Sequence, residues 1–257
     1  KSSGSVRARK EERYECMIST VKKLLKQHKV ISLMGLSNKL KISLHKIKNV
    51  SSGRTQASSL FKNRSQYRVL PKHSKELAEF IGIALGDGNI YKFNRCQRLT
   101  ISCNGSYKNY VKHVSCLARG IFKKSPNVIK RSKANCCDVT LYMQDIDKAL
   151  GLPAGNKIKN SVRIPEWILK KREYSKKCLK GLFETDGHYG LSKKNYVEYI
   201  QFCNECGTLK KSVFDVLNSL KYSPQLGKNY VRLAKKAEVH KFIGEMDFVR
   251  PFPSLAN

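Results

Sequence analysis

Acidic residues are scarce in this chain of 257 residues. Asp and Glu number 19 against 51 Lys and Arg, which leaves a formal net charge of +32. A surface with that excess of positive charge is expected to bind an anionic partner, and nucleic acid is the commonest one. A ribosomal protein or a membrane-surface protein is an alternative that fits the same charge.

The chain also lacks the signals of membrane insertion and secretion. No run of about 18 apolar residues occurs, so we expect no transmembrane helix and no membrane partner. The segment Lys1–Ser5 has no apolar signal-peptide core. Among the nine cysteines, the pair Cys203-Asn-Glu-Cys206 has no second CxxC pair at the spacing of a zinc site. We therefore expect an intracellular protein with reduced thiols.

One short pattern, in contrast, occurs twice. Phe80-Ile-Gly-Ile-Ala-Leu-Gly-Asp-Gly88 and Leu179-Lys-Gly-Leu-Phe-Glu-Thr-Asp-Gly187 are apolar stretches that each end in Asp-Gly. The helices and strands predicted around them follow the order αββαββα in a repeat of about a hundred residues. The sequence therefore predicts an α+β protein in which residues 71–160 and 161–257 are two similar half-domains.

Each motif is predicted to be a helix with small residues on one face. Gly82 and Gly86 are four residues apart, as are Gly181 and Thr185, so each pair lies on one stripe. Glycine costs about 1 kcal/mol in a helix interior relative to alanine. Two small residues on one face therefore indicate a close neighbour, and we expect the two helices to pack against each other there.

Asp87 and Asp186 then stand at the C-terminal ends of these helices, each before a glycine suited to ending a helix. The helix dipole disfavours a carboxylate there, and two adjacent carboxylates also repel each other. Mg²⁺ resolves both problems, and the backbone carbonyls of Gly86 and Thr185 are further candidate ligands. The pattern predicts a site for metal-assisted phosphodiester hydrolysis, whereas two simple Asp-Gly turns are the alternative.

Residues 1–70 are a separate, strongly basic region. Apolar residues at helical spacing predict three short helices, the third capped by Ser43. A tight turn before the third helix predicts a helix-turn-helix that presents Lys46, Lys48 and Asn49 to DNA. A three-helix cap with a solvated basic face is the alternative.

The paired motifs resemble the nine-residue signature of the LAGLIDADG homing endonuclease family, and Arg163-Ile-Pro-Glu-Trp-Ile168 resembles the segment before the second motif in single-chain members. The resemblance implies a pseudo-twofold monomer whose two sheets lie over the major groove of double-stranded DNA. It implies that Asp87 and Asp186 hold Mg²⁺, or Mn²⁺ as a substitute, and cut a long asymmetric site to leave short 3′ overhangs. Leu85 and Glu184 depart from the signature at its sixth position, which is not the ligand position.

The same resemblance implies a lysine or polar residue near each metal centre. Lys235 is the candidate in the second half, with Gln201 as another, and Gln144 is the candidate in the first. Basic residues on and beside the strands are predicted to contact phosphates or bases: Lys92, Arg95, Arg98, Lys130, Arg131, Lys193, Lys194, Lys228 and Arg232.

Several functions remain open at this point. The leading one is a site-specific DNA endonuclease that acts as a monomer, either free or as part of an intein. An intron maturase would use the same fold to bind RNA, and a regulator would bind DNA without cutting it. The paired carboxylates argue against the regulator, because a binding protein has no use for clustered acids beside phosphates. They do not argue against the maturase.

Overall fold

The computed structural model describes residues 44–52, 70–132, 134–192 and 197–250. The chain divides into two units, residues 1–66 and 67–257. The described part of the first unit forms one helix, α1 (Leu44–Ser51), where the third helix of the basic region is predicted. The other two predicted helices lie outside the described residues, so the helix-turn-helix stays a prediction.

The second unit contains two halves with the same order of elements. The first half consists of α2 (Lys75–Gly86), β1 (Gly88–Lys92), β2 (Gln97–Asn104), α3 (Lys108–Phe122), β3 (Asn127–Lys130), β4 (Cys136–Met143) and α4 (Ile146–Leu150). A short helix, α5 (Glu166–Leu169), precedes the second half. The second half consists of α6 (Arg172–Asp186), β5 (Gly187–Leu191), β6 (Glu198–Cys203), α7 (Gly207–Ser219), β7 (Gln225–Leu226), β8 (Tyr230–Leu233) and α8 (Lys236–Met246). The predicted αββαββα order is confirmed in both halves.

Each half folds around a four-stranded antiparallel sheet. The strand orders, β1-β2-β4-β3 and β5-β6-β8-β7, are equivalent. Along β2, Leu99 and Ile101 are buried, whereas Arg98 and Thr100 are only half-buried on the opposite face. Each sheet therefore has one face against helices and one open face, as is common for antiparallel sheets.

The two halves meet along α2 and α6, whose backbones are in direct contact. A Cβ atom added to Gly82 would lie 2.1 Å from the carbonyl oxygen of Cys178, and one added to Gly86 would lie 1.9 Å from Thr185 Oγ1. Gly181 leaves equally little space. The predicted packing through small residues is confirmed. These pairings also show that the helices run in the same direction, so their C-terminal ends lie side by side.

The remaining faces of α2 and α6 pack on the core of their own half. Phe80 on α2 meets Phe122 on α3, with ring centroids 5.6 Å apart. Phe183 on α6 meets Phe202 on β6 at 5.9 Å and Phe242 on α8 at 4.8 Å. These buried rings fix each motif helix on its sheet. In the described ranges, no helix has the length and apolar character needed to cross a membrane.

Candidate active site

Asp87 and Asp186 lie at the adjacent C-terminal ends of α2 and α6. Asp87 follows the last residue of α2, and its backbone N–H donates to the carbonyl oxygen of Ile83 at 3.1 Å. Asp186 is the last residue of α6. Asp87 keeps an exposed edge although surrounding protein partly desolvates its carboxyl group, and Asp186 is half-buried, so a metal ion or a phosphate can reach both carboxylates.

The glycines after the two Asp residues do not play the role that the sequence indicates. A helix-ending glycine commonly has a left-handed backbone, but neither Gly88 nor Gly187 has a positive φ. Each begins a strand instead. A Cβ atom on Gly88 would lie 2.4 Å from the carbonyl oxygen of Ala84, and one on Gly187 would lie 2.1 Å from that of Phe183. Glycine allows the helix to pass directly into the strand, which fixes the Asp at the junction.

Burial raises the pKa of both carboxyl groups. The pKa of Asp87 is raised to about 6, first by burial and then by the charge of Asp186. The pKa of Asp186 is also raised by burial, and a hydrogen bond from Asn204 Nδ2 at 2.8 Å opposes that rise. Both groups therefore favour an added positive charge, which a divalent cation would supply.

Two basic side chains that the sequence does not single out lie at the same junction. Lys157 Nζ donates to the carbonyl oxygen of Leu85 at 2.8 Å and also to that of Gly86. Arg250 Nη2 donates to the carbonyl oxygen of Gly187 at 2.7 Å. Each residue follows the last helix of its half, and each lowers the pKa of both carboxyl groups. They supply positive charge at the negative ends of the motif helices.

Asn204 is a further site residue, and the sequence does contain a signal for it. Cys103-Asn104 and Cys203-Asn204 follow the two Asp residues at similar distances. Asn204 Oδ1 accepts the N–H of Cys206 at 2.8 Å, while its Nδ2 holds Asp186. The first-half asparagine makes the equivalent bond, because Asn104 Oδ1 accepts the N–H of Ser106 at 2.9 Å. A polar residue repeated at the same place in both halves therefore indicates the site.

The oxygen atoms at this junction fit Mg²⁺. The carbonyl oxygen of Gly86 accepts a hydrogen bond from Lys157 but has a second lone pair. The Thr185 hydroxyl donates to the carbonyl oxygen of Leu182 at 2.8 Å, so its side chain is engaged within α6. A groove of ≈ 350 Å³ lined in part by Gly88, Lys157 and Asn204 opens beside the pair. Carboxylates with open space for water beside them are the surroundings that Mg²⁺ prefers.

The two candidates predicted late in each half have other partners. Lys235 Nζ donates to Ser223 Oγ at 2.8 Å and pairs with Glu238 Oε1 at 3.3 Å. Gln144 Nε2 donates to the carbonyl oxygen of Arg95 at 3.3 Å. Their role near the metal stays a prediction. In the described residues, Asn204 bonds to the Asp186 carboxylate, and Lys157 and Arg250 bond to backbone carbonyl oxygens beside the pair.

A second group of potential ligands lies inside the protein. Ligand atoms of Glu79, His113 and Glu184 all lie within 4.8 Å of one another. The ammonium groups of Lys180 and Lys177 lie 3.2 Å and 3.6 Å from the Glu79 carboxylate. Because these lysines already compensate the acidic charge, we assign the cluster to the ionic packing of α2, α3 and α6.

On the open face of the first sheet, arginines stand among aromatic and acidic side chains. The guanidinium carbon of Arg98 lies 5.7 Å from the ring centroids of both Tyr91 and Phe93. Arg131 makes two bonds of 2.8 Å to the carboxylate of Asp138. A groove of ≈ 330 Å³ runs over this face.

The second sheet repeats this arrangement. The guanidinium carbon of Arg232 lies 4.3 Å from the ring centroid of Tyr199 and 4.5 Å from that of Tyr230. Its Nη2 donates to Gln201 Oε1 at 2.8 Å, which places Gln201 on the sheet face. Lys48, Lys92, Arg95, Lys130 and Lys228 are exposed, Asn49 is half-buried, and Lys193, Lys194 and the side chain of Lys46 lie outside the described residues.

Comparison with known proteins identifies the fold. No family model matches the chain. A structure of mesophilic variants of the homing endonuclease I-DmoI is similar with a TM-score of 0.50 and 18% identity, covering 67% of this chain and 94% of that chain. The homing endonuclease I-WcaI bound to its DNA recognition sequence gives a TM-score of 0.49 and 20% identity, covering 75% and 89%. With its paired motif helices and equivalent sheets, the chain has the LAGLIDADG fold.

Proposed function

We propose that the protein is a site-specific endonuclease that cuts both strands of double-stranded DNA with Mg²⁺, or with Mn²⁺ as a substitute. One observation carries the proposal: two carboxyl groups, of which Asp87 has a pKa of about 6, stand together at the junction of paired helices. In a chain with a net charge of +32, such a pair fits phosphodiester chemistry better than any structural role.

The chain's own groups divide the work at this junction. Asp87 and Asp186 would hold the metal with the carbonyl oxygens of Gly86 and Thr185, and the bound ion would acidify water and stabilise the charge on the phosphate oxygens. Asn204 holds the Asp186 carboxylate in one orientation. Lys157 and Arg250 offset the negative helix ends and attract the phosphate. The open sheet faces bind the duplex, where phosphate contacts position it and base contacts select the sequence.

The position of the Asp pair within one chain also supports the proposed monomer. Both carboxylates belong to the unit of residues 67–257, and the two sheets carry different side chains on their open faces. One chain therefore contains two different DNA-binding surfaces, as a long asymmetric target requires. The short 3′ overhangs follow from the family resemblance and are part of the proposal.

Replacement of Lys157 or Arg250 with alanine is expected to lower the single-turnover cleavage rate by about 100-fold, because preorganised positive charge beside a reacting phosphate has effects of that size. Lys211→Ala serves as the control, since its exposed ammonium pairs with Asp215 at 2.9 Å, and Lys235→Ala is measured beside it because Lys235 stays a candidate. Rates measured at saturating enzyme separate chemistry from binding. A larger loss of rate for Lys235→Ala than for Lys157→Ala and Arg250→Ala would assign the role beside the reacting phosphate to Lys235.

Cleavage is expected to need more Mg²⁺ at low pH. A proton and the metal compete for Asp87, whose pKa is about 6, so the ionised fraction falls as the pH drops below that value. The half-maximal Mg²⁺ concentration should therefore rise about tenfold between pH 7 and pH 5. The measurement is a Mg²⁺ titration of the cleavage rate at each pH. An unchanged midpoint would show that Asp87 does not bind the metal.

A maturase that binds RNA is the second candidate, favoured by the aromatic side chains on the first sheet. Tyr91, Phe93 and Tyr142 are 52%, 40% and 40% exposed, and Arg98 lies beside two of these rings. Exposed rings beside an arginine suit the stacking of unpaired bases. The fold would then bind a structured RNA without cutting DNA.

Plasmid cleavage tests the proposal and separates the two candidates. The plasmid would carry the two sequences that flank the open reading frame, joined directly to each other. A plasmid without that junction is the control. We expect conversion to the linear form with Mg²⁺ and no conversion with a chelator. A protein that binds the spliced or unspliced RNA and leaves this plasmid intact would instead be a maturase.

A further inference from the structure

We infer that Glu184 is a positioning residue that holds Arg250 at the active site, an inference that rests on the proposed function. Glu184 occupies the sixth position of the second motif and is 1% exposed. Its Oε1 accepts the backbone N–H of Val249 and, at 3.4 Å, that of Arg250. The segment that follows α8 is thereby fastened to the motif helix.

The same segment brings the Arg250 side chain to the end of α6. Its Nη2 donates to the carbonyl oxygens of Phe183 at 3.2 Å and Gly187 at 2.7 Å. The positive charge acts on both Asp87 and Asp186. Glu184 holds the backbone of Arg250, and the last turn of α6 holds its guanidinium group, so the residue is fixed at both ends.

The first half shows why only one of the two motifs contains an acid at this position. Its counterpart of Glu184 is Leu85, which is also buried. The basic residue of this half, Lys157, lies in a connection with an anchor of its own, the bond from Gly155 N to the carbonyl oxygen of Ile90 at 3.0 Å. In the second half the basic residue follows closely on α8, and the Glu184 carboxylate is its backbone anchor.

Glu184 also belongs to the buried cluster with Glu79 and His113, but its described hydrogen bonds go to residues 249 and 250, and its burial is not fully compensated. Its Oε2 has no hydrogen-bond partner among the described atoms, and a buried unsatisfied oxygen is destabilising. The leucine in the first half shows that this position of the motif accepts an apolar side chain. Residues that reduce the stability of the fold are expected at functional sites.

Four variants test the inference: Glu184→Leu, Glu184→Gln, Arg250→Ala and the double variant Glu184→Leu with Arg250→Ala. We expect Glu184→Leu and Arg250→Ala each to lower the single-turnover rate by about 100-fold while duplex affinity without added metal changes little. The double variant should be no slower than Arg250→Ala. Glu184→Gln, which keeps a carbonyl acceptor, should retain most of the rate.

Hydrogen exchange of the backbone amides at positions 249 and 250 gives a readout that does not depend on cleavage. Glu184→Leu should lose protection there, whereas Arg250→Ala should keep it. Fully additive rate losses in the double variant, or protected amides in a folded Glu184→Leu, would overturn the inference. If the wild-type protein cuts no duplex, the proposed function fails, and the amide protection alone then decides whether Glu184 anchors the segment.

Discussion

Replacing Asp87 or Asp186 with asparagine is expected to lower the rate of duplex cleavage by about a thousandfold or more, because a neutral amide is a poor ligand and the metal supplies several kcal/mol of charge stabilisation. Duplex affinity measured without added metal should stay within a few-fold. The control is Asp215→Asn, which removes an exposed carboxylate paired with Lys211 at 2.9 Å and should leave the rate unchanged. Undiminished cutting by both site variants would remove the metal assignment.

The same two substitutions are expected to increase thermal stability in the absence of metal. Burial raises the pKa of both carboxyl groups above their ordinary values. Their ionised forms therefore disfavour the folded state at neutral pH, and this penalty shrinks as the pH falls below the raised pKa and is gone below the ordinary carboxyl value. Solvent around Asp87 reduces the effect, so we expect a rise of about 2–4 °C in the melting temperature at pH 7. The variants should thus gain stability as they lose activity.

Gly82→Ala is expected to destabilise the protein by about 3 kcal/mol, an effect typical of overpacking at a tightly packed contact. The added methyl group would lie 2.1 Å from the carbonyl oxygen of Cys178. That atom belongs to the backbone of α6, so the helices must separate to admit it. Because Asp87 and Asp186 stand at the ends of these helices, the cleavage rate should also fall. Chemical denaturation gives the free energy of unfolding.

Gly120→Ala is the matched control for the helix contact. Gly120 also lies within a helix, α3, but a Cβ atom there would meet nothing within 4 Å. Alanine has the higher helix propensity, so this variant should gain up to about 1 kcal/mol. Equal stability of the Gly82→Ala and Gly120→Ala proteins would show that α2 and α6 are not in close contact.

The sequence predicts the motif helices and their contact because the evidence for both is local. Apolar residues mark the helices, and the stripe of small residues marks the contact. Two strands leave no such pattern: every residue of β3 is exposed, and β7 has only two residues, both exposed. Alternation of buried and exposed residues cannot reveal a strand that has no buried face. Because β3 and β7 are equivalent strands of the two halves, the repeat cannot reveal one from the other, and only the predicted αββαββα order includes them.

The candidate site likewise contains some residues that the sequence predicts and others that it does not. Asp87 and Asp186 are predictable because a paired carboxylate at a helix end needs a partner charge. Lys157 and Arg250 are not, because each lies in an irregular segment and is one of 51 basic residues. The sequence shows Glu184 only as a departure from the signature, and the structure adds its bonds to the backbone of residues 249 and 250. The tertiary fold selects these residues, so no local pattern marks them.

Capture of cleaved ends from a pool of duplexes with long random inserts tests the central claim most directly, because it requires no knowledge of the target. The wild-type protein with Mg²⁺ should yield ends that converge on one long asymmetric sequence, with short 3′ overhangs on both strands. Asp87→Asn and Asp186→Asn proteins should yield no such ends. If the wild-type protein with Mg²⁺ yields no more cleaved ends than the two variants do, the protein is not an endonuclease of this kind.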